Sequence, residues 1–129
     1  MMTIIRKNPD VVAAPVGSYS HLTIVPRDKD ILVLAGQVGT DPEGNVPADV
    51  NEQLRNALLN VTRILNSEGV ASDGIVKINL WLTEEIDRDR FIEMWNEFHG
   101  GQPPSTTLAY VSALAQPAFK VEVEAWAAR

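Results

Sequence analysis

Residues 74–82 read G-I-V-K-I-N-L-W-L. Val76, Ile78, Leu80 and Leu82 alternate with Lys77, Asn79 and Trp81, the two-residue period of a strand with one face buried and one turned outward. A helical pattern lies on either side. Before the strand, Val50, Leu54, Ala57, Leu58, Val61, Ile64 and Leu65 recur at three- and four-residue spacing, with Asp49 as N-cap and Gly69 as stop. After it, a second helix begins near Asp87, turns Phe91, Met94, Trp95 and Phe98 inward, and ends at Gly100-Gly101.

Further out, Ser18 to Val25 fits a strand, Pro26 to Asp30 a charged turn, and I-L-V-L (31–34) a second strand, together a hairpin. The glycines and proline of A-G-Q-V-G-T-D-P-E-G-N-V (35–46) break that strand into turns. Near the C-terminus, strands are expected from Thr106 to Val111 and from Phe119 to Trp126, the latter alternating Val121, Val123 and Ala125 with Lys120, Glu122, Glu124 and Trp126. The order β-β-α-β-α-β-β is that of an α+β sandwich with helices on one face of a mixed sheet. Pro9, Pro15 and Gly17 keep residues 1–17 irregular in this reading. The sheet face away from the helices would carry Lys77, Asn79, Trp81, Glu122, Glu124 and Trp126. Two tryptophans on a broad sheet face favour burial in an oligomer over permanent solvation.

Composition narrows the function classes. At 129 residues the chain has the size of one domain, and 45% hydrophobic with 22% charged residues is ordinary globular content. A formal net charge of −6 without a basic cluster argues against nucleic acid as a partner. The absence of cysteine excludes thiolate nucleophiles, disulfides and Cys-ligated metals within the chain, and suits a reducing compartment. The N-terminal stretch has no long apolar run, so neither a signal peptide nor a membrane span is expected, and a soluble cytoplasmic protein is.

Within this frame stand A-P-V-G-S-Y-S (14–20), L-A-G-Q-V-G-T-D-P-E-G (34–44), Q-L-R-N-A-L-L-N-V (53–61), V-K-I-N-L-W-L-T (76–83), P-P-S-T-T (103–107) and V-E-V-E-A-W-A (121–127). In joint order and spacing they resemble the reactive intermediate deaminase family, also called Rid or YjgF and historically named endoribonuclease L-PSP. The resemblance spans residues 14–127, and implies one Rid-like domain over 1–129 with residues 1–13 as an irregular N-terminal segment. It further implies a chorismate-mutase-like fold and a homotrimer whose sheets form a central barrel, with ligand clefts between subunits. Active members hydrolyse 2-imino or enamine acids to 2-oxo acids and ammonia without a cofactor.

The residues that the resemblance implies as a site are Glu122 as the catalytic group and Tyr19, Ala35, Gly36, Trp81, Thr106 and Leu108 around the ligand. Tyr19 borders the ligand in the family, or else packs as a core tyrosine. Glu122 helps to position the attacking water, or else pairs with a lysine across the barrel. Three positions depart from the family pattern. Thr106 stands where active members carry the arginine that holds the substrate carboxylate, Ala35 where they commonly carry serine, and Leu108 where they often carry cysteine or another small residue. A hydroxyl offers one neutral hydrogen bond where a guanidinium offers two charge-assisted ones. The expectation is therefore a small-metabolite-binding trimer with weak or no 2-imino-acid deaminase activity, or alternatively a hydrolase for a different imine, enamine or related C–N substrate. Lys77 and Lys120 are expected to pair with Glu122 or Glu124 inside the assembly. His99, at the end of the second helix, is expected to meet the helix dipole as a cation. Neither a Ser/Thr–His hydrolase nor a metal site is indicated, because no base adjoins the hydroxyls and no metal-ligand spacing occurs.

Overall fold

A computed structural model describes residues 3–129. Capping chemistry sets both helices. The Asp49 carboxylate accepts the Glu52 N–H at 3.1 Å at the start of α1 (Val50–Ser67), and Gly69, at φ +73°, follows its last turn. Asp87 accepts the Arg90 N–H at 2.9 Å at the start of α2 (Arg88–His99), which stops at left-handed Gly100. The two helices are tied together where α2 begins, because Asn51 Oδ1 accepts the Asp87 N–H at 2.9 Å. The strands are β1 (Ile5–Lys7), β2 (Leu22–Ile24), β3 (Ile31–Val33), β4 (Gln37–Val38), β5 (Ile75–Leu82), β6 (Ser105–Tyr110) and β7 (Val121–Ala128).

The main sheet runs β3-β7-β5-β6, with β4 also against β7; β5 and β6 are parallel and the other pairs antiparallel. The parallel β5–β6 pair is joined through α2, so the helix must cover one face of the sheet. Both helices pack there. Leu54, Ala57, Leu58, Val61 and Leu65 of α1 and Met94 and Trp95 of α2 meet Ile78, Leu80, Leu82, Val121, Val123, Ala125 and Ala127. Each fully buried leucine or valine in this layer contributes about 1.5–3 kcal/mol. Gln53, wholly buried, is satisfied at every polar atom: Nε2 donates to Pro47 O and Ala118 O, and Oε1 accepts the Lys120 N–H. It thereby fixes the entry to β7.

Four details differ from the sequence-based expectations. The hairpin of 18–34 does not form. Its first half shortens to β2, which pairs with β1 from the N-terminal segment expected to be irregular, while β3 pairs with β7. Arg6 holds this small ribbon to the main sheet, donating to Asp73 O, Ile75 O and Gln102 Oε1. Asp30 and Arg129 exchange backbone hydrogen bonds that commit β3 to the end of β7 instead. In β5 a bulge between Ile75 and Lys77 takes Val76 out of the inward row, and Ile75, 2% exposed, fills its place. Ile64 lies off the buried stripe of α1 and is exposed.

On the outer face the cross-strand pairs are Lys77–Trp126, Asn79–Glu124 and Trp81–Glu122. Trp81 Nε1 donates to Glu124 Oε1. Ile31, Val33 and Trp126 are exposed on β3 and β7. Among the described residues neither lysine pairs with Glu122 or Glu124 within the chain: Lys77 donates to Thr107 Oγ1, and Lys120 bonds Glu84 at 2.9 Å and Ala48 O. Among the described residues no helix is long and apolar enough to cross a membrane.

Candidate functional site

The prolines before β6 do two things. They end any continuation of α2, and their carbonyls anchor the loop that carries Tyr19. Ser20 Oγ donates to Pro103 O at 2.7 Å, and the Ser20 N–H donates to Pro104 O at 3.2 Å. From the other side Trp95 Nε1 donates to Ser18 O at 2.7 Å. The 16–20 loop is thus held between α2 and the mouth of β6, and a cleft of about 770 Å³ opens beside it. Its walls include Tyr19, Thr106 and Leu108, three of the residues expected at the site. They also include Phe91, Ile92, Trp95, Leu80 and Val16, so the cleft is mainly apolar. A smaller groove of about 320 Å³ between α1 and α2, beside Ser72, holds none of the expected site residues.

Inside the cleft the hydrogen-bonding capacity is partly used. Thr106 Oγ donates to Pro104 O at 2.9 Å, which leaves the oxygen free only as an acceptor. The Tyr19 hydroxyl accepts the Val16 N–H at 3.2 Å, and the ring meets His21 edge-on, so the tyrosine is a wall of the loop rather than a core residue. Ser18 Oγ lies 3.2 Å from His99 Nε2, a pairing that suggests a nucleophile and its base. The tautomer opposes it. His99 Nδ1 accepts the Gly101 N–H at 3.0 Å, so Nε2 carries the proton and donates toward Ser18 Oγ and Asn96 Oδ1. His99 is also 5% exposed, and burial pushes its pKa below the usual 6.5. The cation expected at the end of α2 is therefore a neutral, structural imidazole, because the Ser18 loop covers it.

The remaining expected residues lie elsewhere in the chain. Ala35 and Gly36 form the break between β3 and β4, and Glu122, the partner of Val38 on β7, reaches Gly36 with its side chain. A Cβ on Gly36 would come within 2.8 Å of Glu122 Cδ, so only glycine lets this carboxylate lie against the backbone. Among the described residues the Glu122 carboxylate has no hydrogen-bond partner within the chain. Trp81 is on the outer face with Glu124, outside the cleft. With β5 between β7 and β6, Glu122 and Thr106 stand two strand spacings apart across the sheet and three residues apart along it, roughly 14 Å in all. Their side chains also leave opposite faces, Thr106 in register with buried Ile78 and Glu122 with Trp81. One chain therefore presents two separate features: an apolar cleft at the β6 edge, and a carboxylate against glycine toward the other side of the sheet.

Arg88, Ser18, Phe91, Trp95 and Asn96 line the cleft and were not singled out as site residues from the sequence. A signal was present for most of them: positions 88, 91, 92 and 95 recur on one face of α2.

The family model described as endoribonuclease L-PSP matches residues 11–129. The mouse protein named 2-iminobutanoate/2-iminopropanoate deaminase is 33% identical over 97% of this chain and 93% of its own length. The rat protein of the same name is 31% identical over 97% of this chain and 91% of its own. Among solved structures, a Rid-family protein from Yersinia pestis superposes with a TM-score of 0.84 at 23% identity, over 99% of this chain and 100% of that one, a likeness of fold. The YjgF gene product of E. coli gives a TM-score of 0.69 at 27% identity, over 97% of this chain and 98% of that one. With the motifs of the 14–20, 34–44 and 103–107 segments brought to the cleft and to the Gly36–Glu122 contact, this chain belongs to the endoribonuclease L-PSP (Rid/YjgF) family.

Proposed function

We propose that the protein assembles as a homotrimer, binds a small metabolite in clefts between its subunits, and turns over 2-imino acids weakly or not at all. The observation that carries this reading is Thr106. It lies at the mouth of the cleft, its hydroxyl proton is used on Pro104 O, and no residue of β6 is basic. A substrate carboxylate placed there meets an oxygen lone pair rather than a guanidinium. Losing a charge-assisted bidentate contact costs about 2–3 kcal/mol, roughly a hundredfold in affinity. Ala35 adds no hydroxyl beside Gly36, and Leu108 narrows the polar share of the wall. The trimer is supported by the separation of the cleft from the Gly36–Glu122 contact, since a second copy is needed to bring a Glu122 to a β6-edge cleft. It is supported also by the uncovered Ile31, Val33 and Trp126 on the outer face.

A second reading rests on Glu122. Its carboxylate lies against Gly36 and has no partner among the described residues, which suits a group that accepts a proton from water. In that reading the protein is a cofactor-free hydrolase for a different imine, enamine or related C–N substrate. Water adds to the imine carbon as Glu122 takes its proton and returns it to the nitrogen. The carbinolamine then passes its hydroxyl proton to the nitrogen through the same carboxylate, the C–N bond breaks, and the products are a carbonyl and ammonia or an amine.

The test is direct. The protein is mixed with freshly generated 2-iminobutanoate, and 2-oxobutanoate is followed. A rate far below that of an arginine-containing family member is expected, and an equal rate overturns the first reading. For the second, Glu122→Gln must abolish turnover of whatever C–N substrate is found.

A further inference from the structure

We infer that Arg88, on the first turn of α2, is the anion anchor of the cleft, and that the ligand is a small carboxylic acid with an apolar or aromatic body. This rests on the metabolite-binding reading and names the class of metabolite. Arg88 is the one charged residue among the described residues that line the cleft. Arg88 is exposed and makes no ion pair among the described residues. Among the described residues several neighbouring charges are engaged elsewhere: Lys120 holds Glu84, Arg90 holds Asp49 and Glu52, and the Asp87 carboxylate caps the helix, while Glu85 and Asp89 make no ion pair with Arg88. Arg88 therefore faces the cleft with its charge and its planar fork of donors uncommitted.

The other walls set the rest of the ligand. Phe91, Ile92 and Trp95 follow Arg88 at helical spacing on the same face, so an apolar body extends from the guanidinium along α2. Trp95 is stacked between Phe91 and Phe98 at centroid distances of 5.9 and 5.4 Å, which makes that wall rigid. Thr106 offers an acceptor, and Asn96, whose Oδ1 accepts a hydrogen bond from His99 Nε2–H, has amide donors without a partner among the described residues. A single arginine in an apolar cleft matches a single negative charge. A phosphate dianion would be left undercompensated. The anchor has moved from the strand mouth to the helix, so the ligand's carboxylate lies on a different wall from the one that β6 would offer. The Arg88 assignment thus accounts for binding an acid without efficient turnover of a short 2-imino acid.

The experiment is an NMR titration of the full-length protein with phenylacetate and with its neutral analogue phenylacetamide, read at the Trp95 indole N–H. Phenylacetate is expected to bind at least tenfold more tightly than the amide. Arg88→Gln should remove that preference, and Arg88→Lys should keep part of it. Equal binding of the acid by wild type and Arg88→Gln overturns the assignment, as does an acid that binds no better than the amide or perturbs nothing in the cleft. Failure of the underlying reading looks different: rapid 2-iminobutanoate hydrolysis by the wild type overturns weak turnover. If that activity disappears in Arg88→Gln, the anchor stands; if it persists, both fall.

Discussion

Gly36 and Glu122 touch across the break between β3 and β4: a Cβ at position 36 would lie 2.8 Å from Glu122 Cδ and 2.9 Å from Cγ. The obstructing atoms belong to a half-buried, flexible side chain, so Gly36→Ala should displace the carboxylate rather than the backbone. Folding stability should change by less than about 1.5 kcal/mol, within the usual range for tolerated core changes. Any activity that depends on Glu122 should fall as far as it does in Glu122→Gln. Urea unfolding and activity measured on the same two variants check this, and activity surviving in Gly36→Ala but not in Glu122→Gln would contradict it.

Gly39 provides the opposite case. A Cβ there would lie 2.5 Å from Gln53 Cα and 2.6 Å from its carbonyl oxygen, in the first turns of α1. Helix backbone cannot step aside as a carboxylate can. Gly39→Ala should therefore destabilise by about 2–3 kcal/mol, because β4 and α1 must separate. A midpoint of urea unfolding within error of wild type would refute this account of the β4–α1 contact.

His99 predicts a pH dependence of stability. Burial lowers its folded pKa below the ordinary 6.5 that it has in the unfolded chain. Below that value the unfolded chain binds the extra proton and the folded one does not, so the stabilising effect of a neutral His99 is complete above about pH 6.5. It is lost as pH falls through the folded value. Asp41 and Asp49, with pKa values below the ordinary 3.8, lose their contributions only in stronger acid, so the windows separate. Between pH 7.5 and 5 the urea midpoint of the wild type should fall more steeply than that of His99→Gln. Parallel curves would show that His99 is not the titrating group.

Much of this fold was legible because its signals are local. Asp49, Asp87, Gly69 and Gly100 sit within a turn of the helix ends they define, and β5 shows its period directly. What misled were pairings decided at a distance. β1 is three residues long, too short for any period, and takes β2 from the expected hairpin; the Val76 bulge exists only in register with β7. The site divides in the same way. Tyr19, Thr106 and Leu108, which line the cleft, lie in motifs, whereas Arg88 precedes Thr106 by the whole of α2 and the loop after it and meets it only at the cleft of the folded chain. His99 was read from its place on the helix dipole, but the Ser18 loop that buries it comes from the other end of the chain.

Thr106→Arg tests what the cleft lacks. The substitution puts a guanidinium at the mouth of β6 and removes the Oγ bond to Pro104 O, a net loss of about 1 kcal/mol in stability. In exchange a 2-imino acid gains two charge-assisted hydrogen bonds at the strand mouth. If Glu122 from a neighbouring copy can direct water onto that acid, turnover of 2-iminobutanoate should rise at least tenfold over wild type, mainly through kcat/KM. Combining it with Arg88→Gln should keep the gain, because the new carboxylate site lies on β6 and not on α2. A Thr106→Arg protein that folds, binds 2-oxobutanoate more tightly and still fails to hydrolyse the imine would mean that the block lies at Ala35, Leu108 or Glu122 instead.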